Sequence, residues 1–224
     1  YVYRFLKLNI INLDLQPGQG ISEQDVANQL QVSRTPVREA FIKLSQENLL
    51  DIVPQKGTYV SLIDTDQVEE SKFAREILER EIVRQACITF PAEALFQLQS
   101  ALALQELCIR EKDYHRFFQQ DEAMHGMIFK GCKKSRIWNM LQSMNAHYNR
   151  VRILNLKDRA FEWEQLILQH KDLVRAISES DAELGKRTID LHLNKVVVDL
   201  EHLRREHNAW FLQIKMPTFS LLAK

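Results

Sequence analysis

The chain has 224 residues, of which 45% are hydrophobic, and its formal net charge is zero. This length allows one large domain or two ordinary domains with a buried core, and no apolar run approaches the roughly 18 residues that span a bilayer, so a membrane partner is not expected. Zero net charge also counts against nucleic-acid binding, because phosphate contacts usually require a basic surface. The three cysteines are widely spaced without a Cys-x-x-Cys pair, which predicts buried thiols in a reducing, cytoplasmic setting.

The N-terminal part contains three predicted helices. Apolar residues at helical spacing predict the first over residues 2–13, and Ser22 is placed to cap a second helix that runs to Leu30. A turn of three residues leads to a third helix, for which Thr35 is the expected N-cap and Pro36 the first helical residue. Two short helices joined by so tight a turn are typical of a helix-turn-helix, whose second helix enters the major groove of DNA.

A predicted β-hairpin follows these helices. Residues 49–53 and 58–62 are rich in apolar and β-branched side chains, and they flank the turn Pro54-Gln55-Lys56-Gly57. Three helices and a hairpin make a winged helix, with Lys56 at the tip of the wing. A helix-turn-helix pattern alone is weak, but the ordered set of cap, turn, arginine-bearing helix and basic hairpin favours DNA binding.

Three segments of this part resemble the DNA-binding domain of GntR-family bacterial transcription regulators: Leu15-Gln-Pro-Gly18, Val32-Ser-Arg-Thr-Pro-Val-Arg-Glu-Ala40 and Pro54-Gln-Lys-Gly57. The resemblance covers nearly all of residues 1–63. It implies that the chain binds double-stranded operator DNA through Arg34, Thr35, Arg38, Lys56 and Gly57. An arginine can pair bidentately with guanine in the major groove, whereas a lysine on a wing meets phosphate or the minor groove.

The rest of the chain is predicted to be helical. A polar joint at residues 64–67 separates the first part from a helical domain at 68–210, and residues 211–224 form a tail without an assigned structure. The predicted fold is therefore mainly α: an N-terminal winged helix-turn-helix over residues 1–63 and a C-terminal, all-helical antiparallel bundle of six or seven helices. Breaks in the apolar pattern leave helices at 68–89, 92–110, 113–130, 135–156, 159–178 and 181–208.

All seven histidines lie in the helical part. Asp121 and His125 are four residues apart and share one helix face, while His170 and His192 lie among apolar residues of two later helices. Such a set could converge on a divalent metal in the bundle core. On spacing alone, core histidines that hydrogen-bond to carbonyl groups are the default.

The segments around these residues resemble the FCD domain, the effector-binding partner in the FadR subfamily of GntR regulators. In that domain one Asp and three His hold a metal, and a carboxylate effector completes its coordination. The resemblance implies metal ligands at Asp121, His125, His170 and His192. Zinc is the first choice, with nickel and manganese as alternatives, because imidazole and carboxylate ligands serve all three metals.

The same resemblance implies that Arg75 and Arg152 bind a small organic acid, since an inward arginine pairs bidentately with a carboxylate. A surface ion pair is the alternative for Arg75, because charged residues are dense around it.

We therefore expect a homodimeric DNA-binding transcription regulator, a repressor, whose operator affinity is controlled by a small carboxylate metabolite bound next to a metal. Two alternatives stay open, namely a metal-dependent enzyme that uses the Asp/His centre and a regulator with an empty effector pocket. An enzyme is not expected, because the sequence has no Gly-rich phosphate loop, no His-Glu-x-x-His motif and no setting for a Ser or Cys nucleophile.

Overall fold

The structure, a computed structural model, describes residues 1–158, 163–198 and 200–213. Its N-terminal part is a winged helix, as predicted, with the elements α1 (Val2–Ile11), β1 (Gly20–Ile21), α2 (Glu23–Leu30), α3 (Arg34–Gln46), β2 (Leu50–Val53) and β3 (Gly57–Val60). The strands form an antiparallel sheet in the order β1-β3-β2, in which Thr58 lies opposite both Ile21 and Ile52. Strand β1 is an addition to the predicted hairpin.

The helix-turn-helix confirms one predicted cap and corrects the other. Ser22 caps α2, because its hydroxyl accepts a hydrogen bond from the Asp25 N–H at 3.0 Å. The turn closes through Gln31 in the left-handed conformation, at φ 53°. Helix α3 begins one residue before Thr35, with Ser33 at its N-cap, so the prediction that Thr35 is the cap was wrong. Pro36 fits at the third helical position because none of the first N–H groups of a helix has an intrahelical partner.

The helical part confirms the predicted bundle. Its helices are α4 (Thr65–Ile88), α5 (Ala92–Glu111), α6 (Tyr114–Gly131), α7 (Ser135–Met144), α8 (Ala146–Asp158), α9 (Trp163–Ser178), α10 (Ala182–Val198) and α11 (Leu200–Glu206). Helix α4 packs against α10 and α8, and α5 packs against α6 and α9. Within the described ranges, no helix is both long and apolar enough to cross a membrane.

One of the predicted helices is divided in the structure, and the described part of the bundle comprises eight helical segments, where six or seven helices were predicted. The helix expected at 135–156 is interrupted at Asn145, where the Ser71 hydroxyl donates to the Met144 carbonyl at 2.8 Å. The helix expected at 181–208 corresponds to α10 and α11, and residue 199 between them lies outside the described residues. The start of the helix expected at 159–178 includes residues 159–162, which lie outside the described residues.

The winged helix and the bundle share a continuous apolar core. Helix α8 packs against α1, and Leu6 and Ile10 belong to the same buried cluster as Tyr148 and Val151. The end of the described chain also returns to the joint between the two parts, where the buried side chain of Phe211 lies beside Ile63 in a parallel β-bridge. Most of the predicted tail, residues 214–224, lies outside the described residues.

Candidate functional site

The four predicted metal ligands come together in the bundle core. Asp121 and His125 lie on the buried face of α6, His170 on that of α9, and His192 on that of α10. Each is at most 5% exposed, because each occupies a position in the apolar stripe of its helix where a core side chain would otherwise lie. Packing of the three helices therefore brings an Asp and three imidazoles to one point.

The ligand atoms face one another across a small volume. One oxygen or nitrogen atom from each residue lies within 4.8 Å of the other three. The Nε2 atom of His170 is 3.1 Å from Oδ1 of Asp121, and the Nε2 atoms of His125 and His192 are 3.3 Å apart. An arrangement of three nitrogens and one carboxylate oxygen matches the ligand set of many divalent transition-metal sites.

The opposite ring nitrogen of each histidine meets a hydrogen-bond acceptor. Nδ1 of His125 is 2.5 Å from a carboxylate oxygen of Glu79 on α4. Nδ1 of His170 is 2.6 Å from the amide oxygen of Gln105 on α5, and Nδ1 of His192 is 3.1 Å from that of Gln169 on α9. Acceptors at these positions assign the proton to Nδ1 and leave the Nε2 lone pair directed inward, which is the form in which histidine binds a metal.

The inward nitrogens fit a cation better than they fit one another. With the protons on Nδ1, the Nε2 atoms of His125 and His192 are two acceptors at 3.3 Å with no proton between them. His170 Nε2 is buried and makes no hydrogen bond despite its distance of 3.1 Å from Asp121. Burial lowers the pKa of His170 and holds the pKa of His192 well below its ordinary value, so both rings stay neutral. These residues fit a bound divalent metal.

A buried charge cluster adjoins these ligands and consists of Arg75, Glu79, Asp121, Glu122 and Arg152. Arg75 pairs with Glu79 through Nε and lies 3.2 Å from Glu122 Oε1 through Nη1. Arg152 pairs with Asp121 and with the same oxygen of Glu122. The predicted effector arginines therefore lie together beside the candidate metal site, and the alternative of a surface ion pair for Arg75 was wrong, because Arg75 is 0% exposed.

The carboxylates of this cluster stay ionised. Burial alone would raise the pKa of Glu79, but Arg75 and His125 lower it to well below its ordinary value. Burial likewise opposes ionisation of Asp121 and Glu122, and Arg152 is the main group that lowers the pKa of both.

Within the charge cluster and the ring packed on it, two buried donors have no partner among the described residues. They are Nη2 of Arg75 and the hydroxyl of Tyr148, and both residues are 0% exposed. The Tyr148 ring lies against both guanidinium groups, with its centroid 5.2 Å from Cζ of Arg75 and 5.7 Å from Cζ of Arg152. Burial raises the pKa of Tyr148 to about 12, so the phenol keeps its proton. An anion with two oxygens would satisfy these donors.

The predicted DNA-contacting residues lie on two exposed elements. Arg34, Thr35 and Arg38 are exposed in the first two turns of α3. The Glu23 carboxylate, at the start of α2, accepts hydrogen bonds from Arg34 at 3.1 Å and from two nitrogens of Arg38 at 3.2 Å. This exposed contact holds both arginines over the same face of the helix-turn-helix.

The wing presents the other two predicted residues at its tip. Lys56 and Gly57 are exposed at the end of the turn between β2 and β3, and the Lys56 N–H donates to the Val53 carbonyl at 3.1 Å. Gly57 has φ +130°, a conformation that disfavours any side chain, which explains the glycine. The Tyr59 hydroxyl donates to the Lys56 carbonyl at 3.2 Å and supports the turn.

Two residues at the start of α8 connect the bundle with the winged helix. His147 accepts from the Asp64 N–H at 3.0 Å through Nδ1, and its Nε2 donates to the Asn48 carbonyl at 3.0 Å. Arg150 donates to the hydroxyl of Ser61 at 3.1 Å and to the Ser61 carbonyl at 2.5 Å. Arg150 thus reaches the end of the wing, while Arg152 on the same helix reaches the charge cluster.

Sequence reasoning missed the residues that orient the candidate ligands. Gln105 had a detectable signal, because it interrupts the apolar stripe formed by Leu98, Ala101 and Cys108. Glu79, Gln169, Glu122 and Tyr148 had none, since their roles arise only when different helices pack together.

Both parts of the chain match known families. Residues 1–60 match the family described as bacterial regulatory proteins, gntR family, and residues 72–195 match the FCD domain. The HTH-type transcriptional repressor RspR of Escherichia coli K12 is 31% identical over 94% of this chain and 92% of its own length. The gluconate operon transcriptional repressor of Bacillus licheniformis is 24% identical over 88% of this chain and 83% of its own length. Among solved structures, E. coli McbR/YncC superposes with a TM-score of 0.78 at 21% identity, covering 90% of this chain and 95% of that one.

Proposed function

This chain belongs to the GntR family of bacterial regulatory proteins and carries an FCD domain, and we propose that it is a homodimeric repressor controlled by a metal-bound small organic acid. The chain is a transcription regulator by family. We propose in addition that it represses transcription as a dimer, that it binds a metal and an effector, and that the residues named below make these contacts. The regulator acts on operator DNA in the cytoplasm.

In the proposed DNA complex, α3 enters the major groove and the wing follows the backbone. Arg34, Thr35 and Arg38 contact the base edges or neighbouring phosphates, while Lys56 and Gly57 bring the wing close to the DNA. Their exposure at the start of α3 and at the tip of the wing supports these roles. Two copies of the winged helix in a homodimer would read the two halves of a near-palindromic operator.

The proposed metal ligands are Asp121, His125, His170 and His192. One observation carries this part of the proposal: the outer nitrogen of every imidazole has an acceptor, and every inner nitrogen faces the same point as the Asp121 carboxylate. Zinc is the first candidate, and nickel and manganese are the alternatives, because all three accept imidazole and carboxylate ligands.

We assign effector binding to Arg75 and Arg152, with Tyr148 as an added donor. A carboxylate that joins the metal and the unpartnered donors would change the contacts of Tyr148 and Arg152, which lie on α8. The same helix carries His147 and Arg150, which contact the winged helix. An effector that prefers one placement of α8 would shift the population of DNA-binding arrangements by its differential binding energy.

The DNA-binding half is tested with an operator selected from a random duplex library by the wild-type protein. Arg38→Ala should weaken binding to this operator by roughly 5- to 150-fold and weaken binding to a scrambled duplex much less, because a base contact is lost. Arg110→Ala removes an exposed arginine from α5 and serves as the control. Equal losses on both duplexes would assign Arg38 to a phosphate contact.

The metal-binding half is tested by elemental analysis of the purified protein. We expect about one divalent metal per chain, its loss in His170→Ala, and its retention in His202→Ala, which changes an exposed histidine. Chelation should lower the melting temperature of the wild type but not that of His170→Ala. An absence of metal in all three proteins after growth and dialysis in metal-supplemented buffer would contradict the assignment.

The two alternative functions predict different results. An enzyme of the metal-hydrolase type needs a free general base near the metal, but all three carboxylates of the charge cluster are held by arginines. A regulator with an empty pocket would bind DNA with no change in its melting temperature on addition of any small acid. A rise in melting temperature with an acid, coupled to a change in operator affinity, supports the proposed regulator.

A further inference from the structure

The arginines of the proposed effector pocket are already partly occupied by the chain itself. Oε1 of Glu122 lies 3.2 Å from Nη1 of Arg75 and also pairs with Nη1 of Arg152. Its other oxygen accepts from Gln142 Nε2 at 2.6 Å. We propose that Glu122 limits the effector to an acid with a single carboxylate, because it takes the place at the arginine pair that a second carboxylate would need.

The remaining donors match one carboxylate. Nη2 of Arg75 and the hydroxyl of Tyr148 are unpartnered donors that lie within the arginine cluster, and both residues are fully buried. The amide of Asn145, just before α8, is also buried without a partner, but it is neutral and adds no positive charge for a second carboxylate. Two donors suit the two oxygens of one carboxylate, or one oxygen if the other binds the metal. Within the described residues, no second pair of free arginine nitrogens accompanies them, since Arg152 is engaged by Asp121, Asn149 and Glu122.

The net charge of the cluster also favours an effector with a single carboxylate. Two guanidinium groups and three carboxylates leave the charge cluster with one net negative charge. A divalent cation held by neutral imidazoles changes this to one net positive charge, which a single carboxylate neutralises. A second carboxylate would restore a net negative charge among side chains that are at most 13% exposed. Uncompensated buried charge is strongly disfavoured.

Glu122 is therefore a specificity-determining residue and not only a structural partner of the arginines. Glu122→Gln keeps an oxygen for the arginines but removes one negative charge. The metal-loaded cluster then has two net positive charges, which an acid with two carboxylates would neutralise. A purely structural role predicts instead that this variant weakens acids with one and two carboxylates by the same factor.

The inference rests on the function proposed above and is tested with matched acids. Zinc-loaded wild type and Glu122→Gln are titrated calorimetrically with acetate and malonate, and with lactate and malate; the second acid of each pair carries one more carboxylate. We expect the wild type to bind the first acid of a pair at least about tenfold more tightly, and this ratio to fall by about tenfold or more in Glu122→Gln. Glu81→Gln, an exposed glutamate on α4, is the control and should keep the wild-type ratio.

Two different outcomes would distinguish a failure of this inference from a failure of the proposed function. If wild type prefers malonate and malate, or if Glu122→Gln leaves the ratio unchanged, the role of Glu122 is wrong while the metal-linked effector pocket stands. If zinc-loaded wild type binds none of the four acids, the carboxylate effector is wrong and the inference fails with it. The comparison of acids on wild type alone decides the preference even if the variant does not fold.

Discussion

Two arginine pairs in the described part of the molecule have opposite surroundings. Arg34 and Arg38 on α3 share one carboxylate, that of Glu23, and their side chains are 56% and 61% exposed. Arg75 and Arg152 share Glu122 in the bundle core, are at most 9% exposed and each pair with one further carboxylate. The same chemical contact therefore occurs once in water and once in the core.

This difference in burial sets what each pair can do. An exposed ion pair contributes little to stability and exchanges readily, so the α3 arginines can leave Glu23 for DNA phosphates or bases. A buried ion pair is held strongly, because separating it would leave a charge without a partner in a region of low dielectric constant. The buried pair therefore suits a permanent pocket, and the exposed pair suits contacts that form and break.

The largest effect is expected when the buried pair is broken. In the metal-free protein, Arg152→Ala leaves Asp121 without the arginine that pairs with it and Glu122 with one partner fewer, and it should lower the free energy of unfolding by about 3–5 kcal/mol. Urea unfolding at neutral pH measures this loss. Arg34→Ala is the matched control on the exposed pair and should leave the unfolding midpoint nearly unchanged. Comparable losses in the two variants would contradict the comparison.

The next largest effect is expected on the pH dependence of stability, which depends on the buried, neutral His147. Burial lowers the pKa of His147 to about 4 from an ordinary 6.5, so the unfolded chain binds a proton between these pH values and the folded chain does not. Stability from His147 is complete above pH 6.5 and is lost as the pH falls towards 4, by about 3 kcal/mol in total. Unfolding at several pH values should show a weaker dependence in His147→Gln. An unchanged dependence would mean that His147 does not titrate in this way.

A smaller effect is expected for a buried arginine that has no carboxylate in hydrogen-bond contact among the described residues. Arg150 is 0% exposed and bonds to the hydroxyl and carbonyl of Ser61; burial lowers the pKa of its guanidinium to about 9, and the charge of Asp51 only partly opposes this. Arg150→Met should cost about 1–2 kcal/mol, less than Arg152→Ala, because it leaves neutral groups unpaired and removes a poorly solvated charge. Calorimetric melting compares the two variants. A larger loss for Arg150→Met would show that burial, and not the charge of the partner, sets the cost.

The smallest effect on stability is expected for Glu23→Gln, but this change should alter DNA binding. Without the carboxylate, Arg34 and Arg38 are free for phosphates, so affinity for an unselected duplex should rise and the slope of log affinity against log salt should become steeper by about one. Glu39→Gln removes the same charge from the exposed surface of α3 and is the control. Equal changes in both variants would reflect net charge alone.

The sequence predicted much of the fold because its signals are local. Helix spacing, the Ser22 cap and the Pro- and Gly-containing turn of the wing each involve a few consecutive residues, and the structure bears them out. The break at Asn145 was not predictable, because it coincides with a hydrogen bond to Ser71, which is 73 residues from Met144. Strand β1 is only two residues long and forms only against β3.

The candidate site shows the same division. The sequence by itself determined the residue types of the four proposed ligands and their positions on buried helix faces, since an Asp or His in an apolar stripe points into the core when the helix packs. Only the tertiary structure decided that their atoms meet, that Glu79, Gln105 and Gln169 orient the imidazoles, and that Glu122 occupies the arginines. Helical periodicity specifies a direction for each side chain, whereas distances between helices depend on how all of their faces pack.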